Sequence, residues 1–357
     1  MADTARVSGD RIGFGIVGAG MIGRFHCQAV EAIEDAALVG VCDVVNDRAH
    51  SLAREFEATE GHFTTVEEMA RADGLDVVVV GVPSGLHHVA ALAAIDAGKH
   101  VVVEKPIDIT LERADRMIEA ARDAGVLLSV ISQKRFEPAT RHLKEAVDSG
   151  KFGRIAFADV YVKWWRTPEY YSQGGWKGTK DMDGGGALIN QSVHQIDLLR
   201  WIMGPVRTLF GRADARVHDI EAEDTAAAVL EFESGAMGVI QGSTASYPGH
   251  PATLSITGER GSARIEDGTL TEWSFAGEEH LEADVLRRFA GVSGSGGGDP
   301  ASINARGHEL QFRDVIEALR TGRPPLTDGH EGRKALELIL AIYESSETGL
   351  PVRLTGR

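Results

Sequence analysis

Four consecutive valines, Val77–Val80, and a second run at Val101–Val103 constrain this chain more than any other feature. Both runs are short, β-branched and apolar at every position, as in strands buried on both faces. Such strands belong to parallel sheets, and parallel strands need long, usually helical, crossovers. The crossovers are legible. From Arg11, "RIGFGIVG" reads as a strand, with a helix to about Ile33, and "AALVGVCD" as the next strand. Helical patterns over His87–Ala97 and Leu111–Ala124 separate the valine runs from each other and from "VLLSVIS". This β-α-β alternation over roughly the first 130 residues predicts an α/β fold with a doubly wound, Rossmann-type parallel sheet.

The stretch "GFGIVGAGMIGRFH" sits between the first strand and the first helix. Gly18, Gly20 and Gly23 make G-x-G-x-x-G: a tight turn, a close approach of main chain to a pyrophosphate, and close helix–strand packing. Met21 and Ile22 open the helix, whose N-terminal amides face negative charge. Asp43 ends the next strand, 43 − 23 = 20 residues on. Its carboxylate suits the two ribose hydroxyls of NAD and repels a 2′-phosphate. Val44, Val45 and Asn46 follow it, with no arginine, so NAD is favoured over NADP.

Two more loops fall at the carboxyl edge of the sheet, where ligands bind in such folds. In "GVPSGLHHV", Pro83 stops a strand and Ser84 is expected to cap the next helix, with His87 beside them as a cofactor contact. In "VVVEKPI", Glu104-Lys105-Pro106 closes a buried strand. A lysine there is costly unless solvated or paired, and at a strand's carboxyl end it points toward the cofactor crevice. Pro106 restricts Lys105 and admits a cis bond.

The texture then changes. "GRIAFADVYVKWW" reads as a long strand, and "GGGALINQSVHQIDLLRW" as a glycine-led helix. Six shorter strands follow, with hairpin signals at Ser234-Gly235 and Asp267-Gly268. The expectation is an α+β domain with a large, mostly antiparallel open sheet covered by helices on one face. Residues 291–302 read as a mobile glycine-serine loop, and helices from about Ala305 and about Gly329 finish the domain. The boundaries expected are 1–132 for the dinucleotide domain and 133–357 for the second. In the glycine-led helix, four- and three-residue spacings place Asn190, His194 and Asp197 on one face. The three glycines are read as letting main chain approach a bound ligand.

Around that helix lie Tyr161, Lys163, Trp164, Trp165, Arg166, Tyr170, Tyr171, Trp176 and Lys177. Aromatic faces with cationic donors suit a hydroxyl-rich ring, with or without an anionic group. Lys163, Trp176 and Lys177 are the foremost candidates. Tyr161 and Lys163 share a face of their strand, because side chains alternate.

At 357 residues the chain is long enough for two domains, and 43% apolar with 25% charged content is ordinary for a globular protein. Its net charge of −16 argues against nucleic acid or an anionic membrane as the main partner. Two cysteines, Cys27 and Cys42, suit a reducing cytoplasm, and no apolar run reaches membrane-spanning length. No metal is expected.

Several motifs in one order resemble the Gfo/Idh/MocA oxidoreductases, the family of glucose–fructose oxidoreductase, inositol dehydrogenase and rhizopine-catabolism proteins. They are "GIVGAGMIGRFH", "VPSGLHHVAALAAIDAGKHVVVEKP", "QKRFEPA", "GGWKG", "GGGALINQSVHQIDLLRWIMGPV" and "GRPPLTDGHEGRKALELILAIYESSETGLPVRL", covering nearly the whole chain. The resemblance implies an NAD-dependent dehydrogenase acting on a secondary hydroxyl of a sugar, glycoside or cyclitol. It implies that Lys105 contacts the reacting hydroxyl and the nicotinamide end of the cofactor, and that His194 is the acid/base. Glu104 and Gln133 join the cofactor set, and Arg135, Asn190 and His194 the substrate set. Inositol-type members carry an aspartate where this chain has Asn190, so Asp197 is a second candidate to orient His194. Two other readings stay open: a glycosidase that oxidises the ring transiently and recycles NAD, and a non-enzymatic dinucleotide-sensing regulator. An open antiparallel sheet is a liability unless covered, which implies a homodimer or homotetramer.

Overall fold

The computed structural model describes residues 11–172, 175–290 and 305–354, so the loop expected at 291–302 falls outside the described residues. The chain forms two compact units: residues 1–133 with 304–333, and residues 134–303 with 334–357.

The first unit alternates strand and helix: β1 (Ile12–Val17), α1 (Met21–Glu31), β2 (Ala36–Cys42), α2 (Asn46–Glu55), β3 (Gly61–Phe63), α3 (Val66–Met69), β4 (Val77–Val80), α4 (His87–Asp96), β5 (His100–Val103), α5 (Leu111–Ala124) and β6 (Leu128–Val130). The six strands are all parallel, in the order β3-β2-β1-β4-β5-β6. The order reverses between β1 and β4, the switch point at which doubly wound sheets bind ligands. Every valine of β4 and of β5 is buried, as a strand covered on both faces requires.

One boundary differs from the sequence expectation. Residues 304–333, expected in the second domain, belong to this unit. A helix over Arg306–Thr321 brings Phe312, Val315 and Ile316 into the core of β1, with Phe312 stacked on Phe14 at 5.3 Å. Its Gln311 is a polar bolt in that core. The side-chain oxygen accepts the Ser132 N–H at 3.0 Å, and the side-chain nitrogen donates to Val130 O and Thr327 Oγ1, both at 2.8 Å. A buried amide satisfied at both ends fixes register as well as position.

The second unit holds α6 (Pro138–Asp148), β7 (Ile155–Lys163), α7 (Pro168–Ser172), a π-helical turn (Ala187–Ser192) leading into α8 (Val193–Met203), then β8 (Val206–Asp214), β9 (Thr225–Phe232), β10 (Met237–Ser243), β11 (Thr253–Gly258), β12 (Gly261–Glu266), β13 (Thr269–Phe275) and α9 (Glu282–Arg288). The returning Arg306–Thr321 is α10. It is followed by α11 (Gly329–Thr348), with residues in both units, and β14 (Val352–Arg353). The eight strands run β13-β12-β11-β7-β10-β9-β8-β14, antiparallel except where β10 pairs with β7. Asp267 and Gly268 both have positive φ, 44° and 84°, the conformation of a two-residue hairpin between β12 and β13.

One face of this sheet is covered. Gly242 of β10 is the register partner of Val162 of β7, and a Cβ at Gly242 would lie 2.7 Å from Ser192 Oγ and 3.0 Å from Leu188 Cδ2. The π turn therefore lies on the face that carries Ala158, Val160 and Val162. The other face carries the register row Phe210–Val229–Val239, with Phe210 and Val229 exposed. Among the described residues no helix is long and apolar enough to cross a membrane.

Candidate active site

In the first unit the glycine loop is built as its spacing implies. Gly18 has φ 101°, and a Cβ at Gly23 would lie 2.0 Å from Gly18 O. A Cβ at Gly20 would meet nothing within 4 Å, and α1 starts there without a side-chain cap. The start of α1 is thus exposed and uncapped by side chains, as a pyrophosphate site needs. Met21 is exposed, and Ile22 leans on Gly81 after β4. Asp43 braces the same loop: Oδ2 accepts the Ala19 N–H and Oδ1 the Val45 N–H, both at 2.8 Å. The exposed Val44 follows, then Val45 and Asn46, none of them cationic. The donor set fits NAD.

The loops after β4 and β5 are tied together. His87 is buried, with Nδ1 2.8 Å from Pro106 O and Nε2 3.0 Å from Val82 O. Burial pushes its pKa down. The ring lies between the two main-chain carbonyls, and its one N–H in the neutral form serves one of them, so His87 packs the two loops together where a cofactor contact was expected. Ser84 does not cap α4, because Ser84–Leu86 form a short 3-10 turn ahead of it. The buried carboxylate of Asp108 instead accepts the His88 N–H at 3.1 Å. Pro83 ends the β4 loop in an extended conformation, and the Lys105–Pro106 bond is cis.

Glu104 also departs from expectation. It is buried, its Oε1 is 3.1 Å from His26 Nε2 and 3.6 Å from His308 Nε2, and its Oε2 accepts the Lys105 N–H at 3.1 Å. Burial pushes Glu104 up, but the two imidazoles outweigh it and hold the carboxyl well below its usual range. Burial lowers the pKa of His26, so a neutral ring faces a carboxylate. Donor atoms of the three lie within 4.8 Å of one another, the one group among the described residues able to gather round a metal ion. Gln133 lies against Gly307, and its Oε1 is buried without a protein partner.

In the second unit the glycine-led helix is not α-helical where it begins. Ala187–Ser192 form a π turn, and Ser192 Oγ donates to Ala187 O at 2.6 Å. A π turn closes on i+5, so Asn190 and His194 are not stacked as four-residue neighbours of one α-helix, and π turns concentrate at functional sites. Glu223 holds the turn. Its carboxylate accepts the amides of Gly186 (3.0 Å) and Leu188 (2.8 Å) and the Tyr343 hydroxyl (2.8 Å). A Cβ at Gly185 would sit 2.3 Å from Tyr343 Oη, and one at Gly186 2.1 Å from Glu223 O. Those two glycines make room for the protein's own side chain and main chain, not for a ligand.

Asn190 and His194 are half-buried. The Asn190 side-chain amide donates to Asp183 Oδ1, while its oxygen accepts from Gln191 Nε2 at 2.7 Å. Asp183 Oδ2 accepts the Gly178 N–H at 2.8 Å. Gln191 also donates to the Tyr170 hydroxyl at 2.9 Å and accepts from Arg166 at 2.8 and 3.2 Å. Lys177 Nζ sits 3.9 Å from the Tyr170 ring centre, with the Arg166 guanidinium over the same ring at 5.5 Å. Burial lowers the Lys177 pKa, opposed by Asp183 and aided to a smaller extent by Arg166. Lys177 is thus packed on Tyr170, and the half-buried Trp176 anchors its turn by accepting Thr179 N–H and hydroxyl bonds at its main-chain oxygen.

Three expectations change. Lys163 shares a face with Tyr161, whose ring centre is 5.0 Å from Nζ, but that is the face away from the π turn. Arg135 is fully buried, and its guanidinium binds both oxygens of Asp197, at 2.8 and 2.5 Å, under Trp201. It is a core ion pair rather than a substrate contact. Asp197 is correspondingly engaged by Arg135 and not free to orient His194. Reading the sequence alone left Asp183, Gln191, Glu223 and His308 out of the site. Asp183 had a signal, standing immediately before the glycines, and Gln191 stands beside Asn190; Glu223 and His308 had none.

Two family profiles match: "Oxidoreductase family, NAD-binding Rossmann fold" over residues 12–132, and "GFO/IDH/MocA C-terminal domain" over residues 140–264. The chain belongs to the Gfo/Idh/MocA family. As a member it is an NAD-binding oxidoreductase. Myo-inositol 2-dehydrogenase of Thermotoga maritima is 28% identical over 95% of this chain and 98% of its own length. The NAD(+)-dependent scyllo-inositol 2-dehydrogenase of Bacillus subtilis is 28% identical over 95% of each chain. Among solved structures, the WlbA dehydrogenase from Bordetella pertussis, in complex with NADH and UDP-GlcNAcA, is 34% identical with a TM-score of 0.84, over 96% of this chain and 99% of that one.

Proposed function

We propose that this Gfo/Idh/MocA protein oxidises a secondary hydroxyl of an anionic sugar. The observation that carries the substrate class is the pair of cations, Arg166 and Lys177, gathered on the Tyr170 ring beside Asn190 and Gln191. A sugar of the kind of UDP-GlcNAcA supplies the complementary negative charge and an aromatic-stacking ring, which free inositol does not.

NAD, when bound, accepts the hydride from the carbinol carbon. The chain's residues do the rest. His194 takes the hydroxyl proton on a ring nitrogen, a role suited to imidazole near neutral pH. The Lys105 ammonium donates to the same oxygen and stabilises the alkoxide charge that develops. Asp43 holds the ribose hydroxyls and the amides at Gly20 receive the pyrophosphate. Asn190, fixed by Asp183, holds the entry to α8 in one geometry. The roles of Lys105 and His194 are taken from the family resemblance.

We further infer a homo-oligomer that covers the open sheet face around Phe210, Val229 and Val239. A cytoplasmic home suits two buried free thiols, both pushed up to about 12 by burial.

The test is a panel of nucleotide-linked acidic sugars, neutral sugars, inositols and glycosides with NAD, following NADH and free aglycone together. Stoichiometric NADH with an acidic sugar supports the reading. Faster turnover of neutral cyclitols would overturn the substrate class. Aglycone release without net NADH would point to the redox-neutral glycosidase route, and no turnover with any member to a sensing role.

A further inference from the structure

Glu104 is an anion buried one residue before the lysine assigned to catalysis. Burying a carboxylate costs several kcal/mol unless donors surround it. Its polar neighbours come from three places in the chain: the imidazoles of His26 from α1 and His308 from α10, and the Lys105 main-chain N–H, which donates to Oε2. His26 and His308 are both almost completely buried, their rings edge to face at 5.0 Å, with His26 also packed on Phe312 at 5.6 Å. At 3.1 Å the His26 contact is within hydrogen-bond length, although its N–H runs off the line; the His308 contact is longer, at 3.6 Å. Neither Nδ1 has a partner, and Glu104 Oε1 has no aligned hydrogen bond of its own, so the two Nε2 atoms are the polar groups set nearest to it. Across the lysine, His87 holds the Pro106 carbonyl at 2.8 Å. The Lys105 peptide is thus gripped from the residue before and the residue after.

We propose that His308 and His26 are positioning residues for Lys105: by holding Oε1 of Glu104 they aim Oε2 at the Lys105 N–H and so set where the lysine leaves β5. This rests on Lys105 acting on the reacting oxygen. It gives α10 a task beyond packing: the helix that returns to the first unit closes the carboxylate's shell. Neither imidazole touches the reacting atoms. The effect is transmitted through one carboxylate to one peptide group, and displacement of a catalytic group by about 1 Å can cost about 100-fold in rate.

The test uses the full-length protein and compares His308→Leu with His308→Gln, whose amide keeps an N–H donor near the position of Nε2. For each, kcat, KM, the NAD Kd and the melting temperature are measured. His308→Leu is expected to lower kcat by about tenfold or more with the NAD Kd within about twofold of the parent. His308→Gln, at a similar melting temperature, is expected to recover most of that loss. Unchanged kcat in His308→Leu, equal loss in both variants, or parallel loss of kcat and NAD affinity would each overturn the proposal. If His308→Leu does not fold, His308→Asn replaces it, since its shorter amide falls short of Oε1. A stoichiometric transition metal in the purified protein would also overturn it, because both Nε2 atoms would then be ligands. Lys105→Ala, assayed alongside, separates the two ideas: retained turnover there refutes the role of Lys105 itself, whatever His308 does.

Discussion

Asp183 and Asn190, seven residues apart, are joined carboxylate to amide across the start of the π turn. An acid therefore stands against position 190, supplied from Asp183. Replacing Asn190 by Asp would set two carboxylates against each other, and like charges in contact cannot both ionise comfortably. Asn190→Asp is expected to lose about 1–3 kcal/mol of stability at pH 7. One of the pair would have a folded pKa raised above its unfolded value, so the deficit should shrink as pH falls toward that value. Urea unfolding of parent and variant at pH 7 and pH 5 measures this, and a deficit that grew on acidification would count against the contact.

Lys105→Ala and His194→Ala should each lower kcat by about 10² to 10⁴, with NAD binding preserved. The cofactor's adenosine half is held by the glycine loop and Asp43, which neither substitution touches. Steady-state rates and NAD titration by fluorescence check the pair. Near-full activity in either variant removes that residue from the mechanism.

Gly185 is pinned by Tyr343. A methyl at residue 185 would collide with the tyrosine hydroxyl, so Gly185→Ala should cost about 1–3 kcal/mol. Tyr343→Phe should cost about 1–3 kcal/mol by depriving buried Glu223 of a donor. In the double variant the hydroxyl contact is gone while the Ile189 Cγ2 contact at 2.7 Å remains, so its loss should be smaller than the sum of the singles but larger than that of Tyr343→Phe. Strict additivity in denaturant midpoints would argue that the glycine serves some other purpose.

Three buried imidazoles of the first unit make its stability pH-dependent. Burial holds His26, His87 and His100 below the ordinary 6.5, against Glu104 and beside His308 for the first, Glu104 and Asp108 for the second, and Asp76 opposed by Lys99 for the third. Below 6.5 the unfolded chain takes up protons that the folded chain refuses, so stability falls as pH falls. The slope approaches about 1.4 kcal/mol per pH unit for each such proton. Glu104, with its pKa held low, adds to the loss only at lower pH still. Melting temperatures between pH 8 and pH 5 should decline steadily; a flat profile would show these rings titrating normally.

The valine runs were legible because a strand buried on both faces tolerates only apolar residues, so its sequence states its environment. The glycine loop and Asp43 were legible for a related reason: each answers a local steric or charge demand. α2 was not, since "NDRAHSLARE" carries too few apolar residues to show a period. The return of α10 to the first unit depends on Phe312 finding Phe14 and Gln311 finding Ser132, contacts made across the whole second unit of sequence. Lys163 shows the limit within a single strand. Its alternation with Val162 was read correctly, but which face carries the helix is decided by Gly242 on another strand. The π turn was hidden because Glu223, the group that stabilises it, stands more than thirty residues downstream.

That turn makes the aim of His194 a matter of counting. Each residue of an α-helix advances the chain by about 100°, and the π turn spends one more residue than an α turn would. Deleting a single residue between Ala187 and Ser192 would let the segment relax to α-helix. With α8 held by its buried Ile196, Leu199 and Ile202, the glycines and Glu223 anchor would then be out of phase with the histidine by that one step. In this protein a frame of reference is stored as one surplus amino acid.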